Sequence, residues 1–224
     1  MSDYPLFDRL KAACGADWDA YIRHKFVCDL GAGTLPEGAF RYYLRQDYLF
    51  LIHFARAYGL AAFKAETLEE LRAASGAVSH IVENEMALHV AFCACWGVSE
   101  AEMAATPEDS ANMAYTRYVL ERGLAGDSLD LAVALAPCII GYAEIGAWLA
   151  ANRSSEDADN PYAEWIDTYA AQDYQDVAWA HAAQLDNLLS RRGGPGRLES
   201  LARTFGEATR LEVNFWQMGL DSAH

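Results

Sequence analysis

The chain has little that would build anything other than helices. No run of alternating valine, isoleucine and threonine marks a strand, and only 6 prolines and 16 glycines punctuate 224 residues. Basic residues are scarce, with 17 Lys and Arg against 32 Asp and Glu, a formal charge of -15. That balance supplies no field attractive to phosphate and argues against a nucleic-acid partner; it does not by itself identify a cationic substrate. The five cysteines (Cys14, Cys28, Cys93, Cys95, Cys138) are odd in number and form no disulfide framework. Met1-Ser2-Asp3-Tyr4-Pro5 shows no basic region followed by a hydrophobic run, so reduced thiols and a cytoplasmic location are expected. The nearest approach to a membrane span, Leu131 to Ala151, is interrupted by Pro137 and Glu144, and its fully apolar part is too short to cross a bilayer. It reads as a buried central helix, and no membrane contact is expected.

Phosphate loops and metal centres are missing as well. Gly193-Gly194-Pro195-Gly196 follows a helix and lacks the lysine and Ser/Thr of a P-loop. The six histidines, His24, His53, His80, His89, His181 and His224, form no tight ligand set. Glu85 and His89 lie one turn apart, but the repeated Glu-x-x-His of a di-iron bundle is absent, and His80 with Glu83 has the order reversed. His24 could stand beside a flat ligand such as haem, although a lone histidine in an amphipathic first helix is more often structural. No metal and no cofactor are expected.

What is present is helical punctuation. A first helix is predicted from Pro5 to Cys28, closed by Gly31 and Gly33, and a second from Leu35-Pro36-Glu37 through Phe63. Thr67, with Glu70 at capping-box spacing, opens a third that reaches Trp96 before Gly97. A short turn over Ser99 to Ala104 leads to Pro107 and then to a segment from Ser110 to Glu121, ended by Arg122-Gly123. Asp127 or Ser128 starts the central helix, which runs to about Ala151, and Asn152 to Asn160 forms a polar, acidic loop. Pro161 and Tyr162 begin a stretch to Ala170, followed by helices from Tyr174 to Arg191 and, after the glycine-rich break, from Leu198 to Met218. With no linker and no repeat, the expectation is one all-α domain over residues 1–224, a single bundle of about eight to ten helices.

Three polar residues interrupt the apolar stripes of these helices. Asp47 falls within Phe40, Tyr43, Phe50 and Phe54; Cys138 within Leu131, Leu135, Tyr142 and Ile145; Glu212 within Leu198, Leu201, Phe205 and Phe215. Steps of three and four put each set on one helix face. An inward carboxylate without a partner is costly, so these residues need a polar cavity, an ion or each other. Pro137 should bend the central helix beside the thiol, and Tyr142 lies one turn beyond it on the same face. Two plainer readings stay open: Cys138 as a small hydrophobe, and both acids as acceptors for core tyrosine hydroxyls.

Several segments resemble the TenA/thiaminase II family. They are Phe40-Arg41-Tyr42-Tyr43-Leu44-Arg45-Gln46-Asp47, Asn112-Met113-Ala114-Tyr115-Thr116, the stretch from Ala136 through Pro137-Cys138 to Gly146, Tyr162-Ala163-Glu164-Trp165-Ile166-Asp167-Thr168-Tyr169, and Phe205 through Glu212 to Trp216. The resemblance implies an all-helical fold similar to haem oxygenase but without haem, assembled as a homotetramer. It implies hydrolysis of thiamin or of 4-amino-5-aminomethyl-2-methylpyrimidine, the latter giving the hydroxymethylpyrimidine and ammonia. Cys138 matches the nucleophile of the cysteine-containing branch, Asp47 and Glu212 match the two acids that hold the pyrimidine, and Tyr115, Tyr142 and Tyr169 match pocket tyrosines. One position departs from the pattern: the residue one turn after the aspartate is commonly tyrosine and is Phe50 here, which keeps a stacking surface and loses a hydroxyl. A non-enzymatic pyrimidine-binding or regulatory protein, a relative with altered substrate, and a metal- or oxygen-dependent relative are the alternatives.

Overall fold

Glycine and side-chain caps divide the chain into its elements. The computed structural model describes residues 3–153 and 160–222. Met1 and Ser2, most of the polar loop expected between 152 and 160, and His224 lie outside the described residues. Within them α1 (Pro5–Cys14), α2 (Ala16–Ile22) and α3 (Lys25–Gly31) replace the single helix expected from Pro5 to Cys28. Gly15, at φ 59°, turns the chain after α1, and the His24 ring accepts the Phe26 N–H to start α3 afresh. His24 is therefore a helix cap, not a flank for a flat ligand.

The second expected helix forms as α4 (Glu37–Lys64). Thr67 and Glu70 make the capping box anticipated for α5 (Leu68–His80). The predicted continuous helix from Thr67 to Trp96 is instead broken in phase: a single π-helical turn, Ile81–Glu85, separates α5 from α6 (Met86–Ala94). The expected turn after Ser99 is a short helix, α7 (Glu100–Ala104), capped by Ser99 with Glu102. There follow α8 (Ser110–Ala125), α9 (Ser128–Asn152), α10 (Ala163–Ala170), α11 (Gln172–Arg192) and α12 (Arg197–Asp221). The described residues thus contain twelve α-helices and one π turn, more than the eight to ten expected, chiefly because the first segment divides in three.

Helix α9 lies at the centre, packed by α8, α10, α11 and α12, while α4 packs against α5, α6, α8 and the π turn. Asp127 and Asp130 cap α9, and Arg197 at the start of α12 bridges both carboxylates at 3.1 and 3.2 Å. At 25 residues α9 is long and apolar enough to cross a membrane on length and composition alone, so shortness does not exclude it. Burial does: 78% of its most apolar window is inside the protein, where its side chains join one continuous core. The arrangement is all-α, and it leaves a space between α4, α5, the π turn, α9, α10 and α11.

Candidate active site

That space is a cavity of about 340 Å³, walled by Asp47, Phe50, Glu85, Cys138, Tyr142 and Tyr169 and continued by small residues of α5 (Ala73, Gly76, Ala77) and Val177 of α11. Its size and its apolar walls with a few convergent polar groups suit a small organic ligand. Of the expected site residues, Asp47, Cys138, Phe50, Tyr142 and Tyr169 all reach it. Glu212 and Tyr115 do not line it. Tyr115 faces an adjoining niche of about 10 Å³, bordered also by Phe50, Phe54 and Cys138, and its hydroxyl donates to Glu212 Oε1 over 2.8 Å. Helical periodicity put Glu212 inside the core; the depth of the wall in front of it is set by the packing of α8 against α12. Arg210, two residues earlier, points away and pairs with Asp17 at 3.0 Å.

Asp47 is held from two sides. His89 Nε2 lies 2.6 Å from Oδ2, and the Tyr43 hydroxyl donates to the same oxygen over 3.2 Å. No protein hydrogen bond engages Oδ1 among the described residues. His89 Nδ1 lies 2.8 Å from the Glu85 carbonyl oxygen. A carbonyl only accepts, so Nδ1 carries a proton, and a neutral ring would then present a bare Nε2 to the carboxyl. Burial opposes a charge on His89, but the Asp47 carboxylate and its hydrogen bond outweigh that and raise the ring above its ordinary value. The contact with Asp47 thus favours the protonated ring. Both His89 nitrogens are thereby occupied, which removes His89 as a metal ligand.

Because the Tyr43 proton goes to Asp47, the Tyr43 oxygen is the acceptor for Tyr142 at 3.5 Å and for the Trp165 indole N–H at 3.4 Å. Tyr142, Trp165 and Tyr169 form one aromatic cluster, with Tyr142–Tyr169 and Trp165–Tyr169 centroids 4.9 and 4.5 Å apart. Helix α10 reaches this position because α9 carries glycine where the two cross. A Cβ on Gly146 would come within 2.6 Å of the Tyr169 carbonyl oxygen. Phe50 packs on Tyr115 and Phe215 at 5.3 and 5.7 Å, closing the side toward the niche.

Cys138 is partly exposed, toward the cavity, and remains a thiol at rest. Burial pushes it well above its usual value, and the charges of Glu212, Asp47 and Glu85 push it further the same way. Burial also raises Glu212 to about 8; the Tyr115 hydrogen bond opposes this, the Asp47 charge adds to it, and a hydrogen bond from Tyr21 opposes it. Glu85 rises to about 7 through burial, with His89 pulling down and Asp47 pushing up. The site therefore combines a neutral thiol, an aspartate paired with a histidine, and two acids that hold protons near neutrality.

Sequence reasoning weighed Glu85 and His89 only as a metal pair and gave neither a place in this site. Their spacing of four did carry the signal. Ala73, Ala77, Ile81, Glu85 and His89 recur at steps of four, which drift about 40° per step around a regular α-helix. The wider π turn takes up that drift and keeps Ile81 and Glu85 on the cavity and His89 on Asp47.

Comparison with known proteins identifies relatives along nearly the whole chain. A family model described as the TENA/THI-4/PQQC family matches residues 13–222. An uncharacterized protein of Haemophilus influenzae is 40% identical over 206 residues, covering 92% of this chain and 94% of its own. An aminopyrimidine aminohydrolase of Halalkalibacterium halodurans is 33% identical over 203 residues, covering 90% of this chain and 89% of its own. Among solved structures, a TenA family transcription regulator from Silicibacter sp. TM1040 superposes with a TM-score of 0.90 at 48% identity, covering 96% of each chain.

Proposed function

Because the chain belongs to the TENA/THI-4/PQQC family, we propose that it hydrolyses 4-amino-5-aminomethyl-2-methylpyrimidine to the 5-hydroxymethyl compound and ammonia. Thiamin is the second candidate substrate, cleaved to the same hydroxymethylpyrimidine and the thiazole. The observation that carries this reading is that Cys138 and Asp47 face one aromatic-walled cavity, with Glu212 held behind it by Tyr115. An aminohydrolase among the relatives supports the reaction class.

In this reading the pyrimidine lies between Phe50 and the tyrosine cluster and extends across Cys138 toward the niche lined by Tyr115. Asp47 Oδ1, free of protein partners, accepts from the 4-amino group and takes the thiol proton. The sulfur electron pair forms a bond to an electron-poor ring carbon, and the displaced ring π pair moves to a ring nitrogen. That nitrogen takes a proton from the Tyr115 hydroxyl, which lines the niche and is resupplied by Glu212 behind it, so negative charge does not accumulate. The ring nitrogen's electrons then expel the amine, or the thiazole, from the exocyclic methylene. The ring nitrogen's proton returns through Tyr115 to Glu212 as the leaving group departs. Water then adds at the methylene with its proton going to the ring nitrogen; that nitrogen releases the proton to solvent as its electron pair restores the ring π bond, and the sulfur leaves and recovers its own proton from Asp47. The thiol needs no ionisation before substrate arrives, which fits its raised pKa. The family likeness also supports a homotetramer, which light scattering tests.

Purified protein incubated separately with each compound, with ammonia, thiazole and hydroxymethylpyrimidine measured, tests the reaction. Cys138→Ser should bind pyrimidine, remain folded and lose turnover; comparable turnover in that variant rules out the covalent route. A second reading, a binding or regulatory protein without turnover, is favoured by the name of the Silicibacter relative. Ligand binding by the wild-type protein with no released product would support it, although a charge of -15 argues against direct contact with nucleic acid.

A further inference from the structure

Glu85 is the one cavity carboxyl with no assigned role. The site holds three buried or partly buried acids, and two are accounted for. Asp47 is neutralised by His89 at 2.6 Å, and Glu212 stands behind the wall with Tyr115 on one oxygen. Glu85 projects from the π turn into the cavity itself. Among the described residues its carboxylate makes no hydrogen bond; the nearest basic side chain is His80, with Nε2 3.9 Å away on an exposed ring. Its charge bears on Cys138, Tyr58, Tyr169 and Tyr174, so it looks across the same space as the thiol.

The groups that share the cavity with Glu85 are Asp47 and Tyr58 of α4, Cys138 of α9, Tyr169 of α10, Tyr174 of α11 and His80 of α5, whose exposed ring lies 3.9 Å away. Among the described residues no Lys or Arg lines this space, and His80 makes no hydrogen bond to the Glu85 carboxylate. The remaining positive charge in the region, on His89, is committed to Asp47. A carboxylate with free oxygens in a low-dielectric space is matched by a ligand that brings a positive charge and N–H donors. We propose that Glu85 receives the exocyclic ammonium of an aminomethylpyrimidine and so selects substrates whose leaving group is an amine over those whose leaving group is a quaternary thiazolium.

This rests on the aminohydrolase reading and adds the group that recognises the departing nitrogen. An amine entering a desolvated cavity tends to lose its proton, and a neutral amine leaves poorly. With Glu85 accepting from the ammonium, the nitrogen keeps three protons until the carbon–nitrogen bond breaks. The bonding pair then goes to nitrogen and neutral ammonia departs. A thiazolium nitrogen has no N–H to donate and leaves as a neutral thiazole without any proton, so it gains nothing from this contact. The raised pKa of Glu85, about 7, fits an acid that lacks its counter-charge until the ligand brings it.

The test separates binding from turnover. Calorimetry on Cys138→Ser and on Cys138→Ser with Glu85→Gln should be run with the 5-aminomethyl and 5-hydroxymethyl pyrimidines. The aminomethyl compound should lose about tenfold in affinity or more on Glu85→Gln, the size of one charge-assisted hydrogen bond, and the hydroxymethyl compound less than about twofold. In the Cys138 protein, Glu85→Gln should lower the ratio of kcat/KM for aminopyrimidine to kcat/KM for thiamin by a similar factor. Glu85→Asp, which keeps the charge, should recover part of that ratio. Equal weakening of both ligands, or of neither, overturns the assignment. If the Cys138→Ser parent binds neither pyrimidine, the aminohydrolase reading fails first and the role of Glu85 with it.

Discussion

Tyr115 donates its hydroxyl proton to Glu212 Oε1 over 2.8 Å, between two side chains that are each 1% exposed. A carboxyl in that position keeps its own proton, and this fixes how Glu212 affects stability. Its folded pKa is about 8, well above the ordinary value of 4.5. Between those values the unfolded chain has released a proton that the folded protein still holds, so this group makes the fold less stable as pH rises from 4.5 to 8. Glu212→Gln keeps the acceptor for Tyr115 and removes the penalty. The variant should gain stability relative to wild type as pH rises from 5 to 8, on the order of 3 kcal/mol across the window, read as a Tm difference that widens with pH. Its turnover should fall by about a hundredfold or more if Glu212 is the proton donor. A Tm difference that stays flat across this range would show that Glu212 is ionised in the folded protein.

The thiols provide a direct chemical readout of the resting site. Cys28 and Cys95 are exposed, whereas burial, reinforced by Glu212, Asp47 and Glu85, holds Cys138 protonated. Alkylation requires the thiolate. Limited iodoacetamide at pH 8 should modify Cys28 and Cys95 at least about tenfold faster than Cys138. Peptide mapping after a time course measures this, and preferential early labelling of Cys138 would mean that the free enzyme carries an activated thiolate.

Much of this site was legible because helices advertise their inward faces. Asp47 and Cys138 stand out as breaks in apolar stripes, and both reach the cavity. Phe50 and Tyr142 follow from the same faces, whereas Tyr169 was indicated only by the family resemblance. The contact between His89 and Asp47 was not legible, because it joins α6 to α4 and depends on a π turn that a regular period does not anticipate. Nor was the position of Glu212: periodicity reports that a side chain points inward, not how many layers separate it from a void. The break of the first helix had a visible cause in Gly15, but glycine inside an amphipathic pattern is tolerated often enough that its positive φ appears only in the structure.

His89 and Asp47 should behave as one unit. Removing the ring in His89→Ala leaves a carboxylate buried with only Tyr43 for support, a loss of about 3–5 kcal/mol. His89 is raised above its ordinary 6.5, so its stabilising contribution is fully present below that value and is lost as pH rises through the folded value. The cost of His89→Ala should therefore be larger at pH 6 than at pH 9. Adding Asp47→Asn to His89→Ala should restore part of the stability without restoring turnover, a coupling that denaturant unfolding of the four proteins measures. Additive losses would mean that the two side chains do not share a charge.

Gly146 tests whether the aromatic wall positions the ligand or merely fills space. A Cβ there meets the backbone of Tyr169, with its carbonyl oxygen 2.6 Å away, and backbone cannot rotate aside as a side chain can. Gly146→Ala must therefore move the end of α10 away from α9. Two opposing effects act on stability. Alanine is favoured over glycine inside a helix by about 1 kcal/mol, whereas overpacking a tight crossing costs about 1–3 kcal/mol. Because the obstacle is main chain, the second should win, giving a net loss of about 1–2 kcal/mol with the fold intact. The functional effect should be larger than that loss implies, since Tyr169 leaves its 4.9 Å contact with Tyr142 and opens one side of the cavity. The variant should show a raised KM and a lower kcat at temperatures where it is fully folded, while Gly38→Ala, a glycine on α4 with open space around its Cβ position, should leave both unchanged.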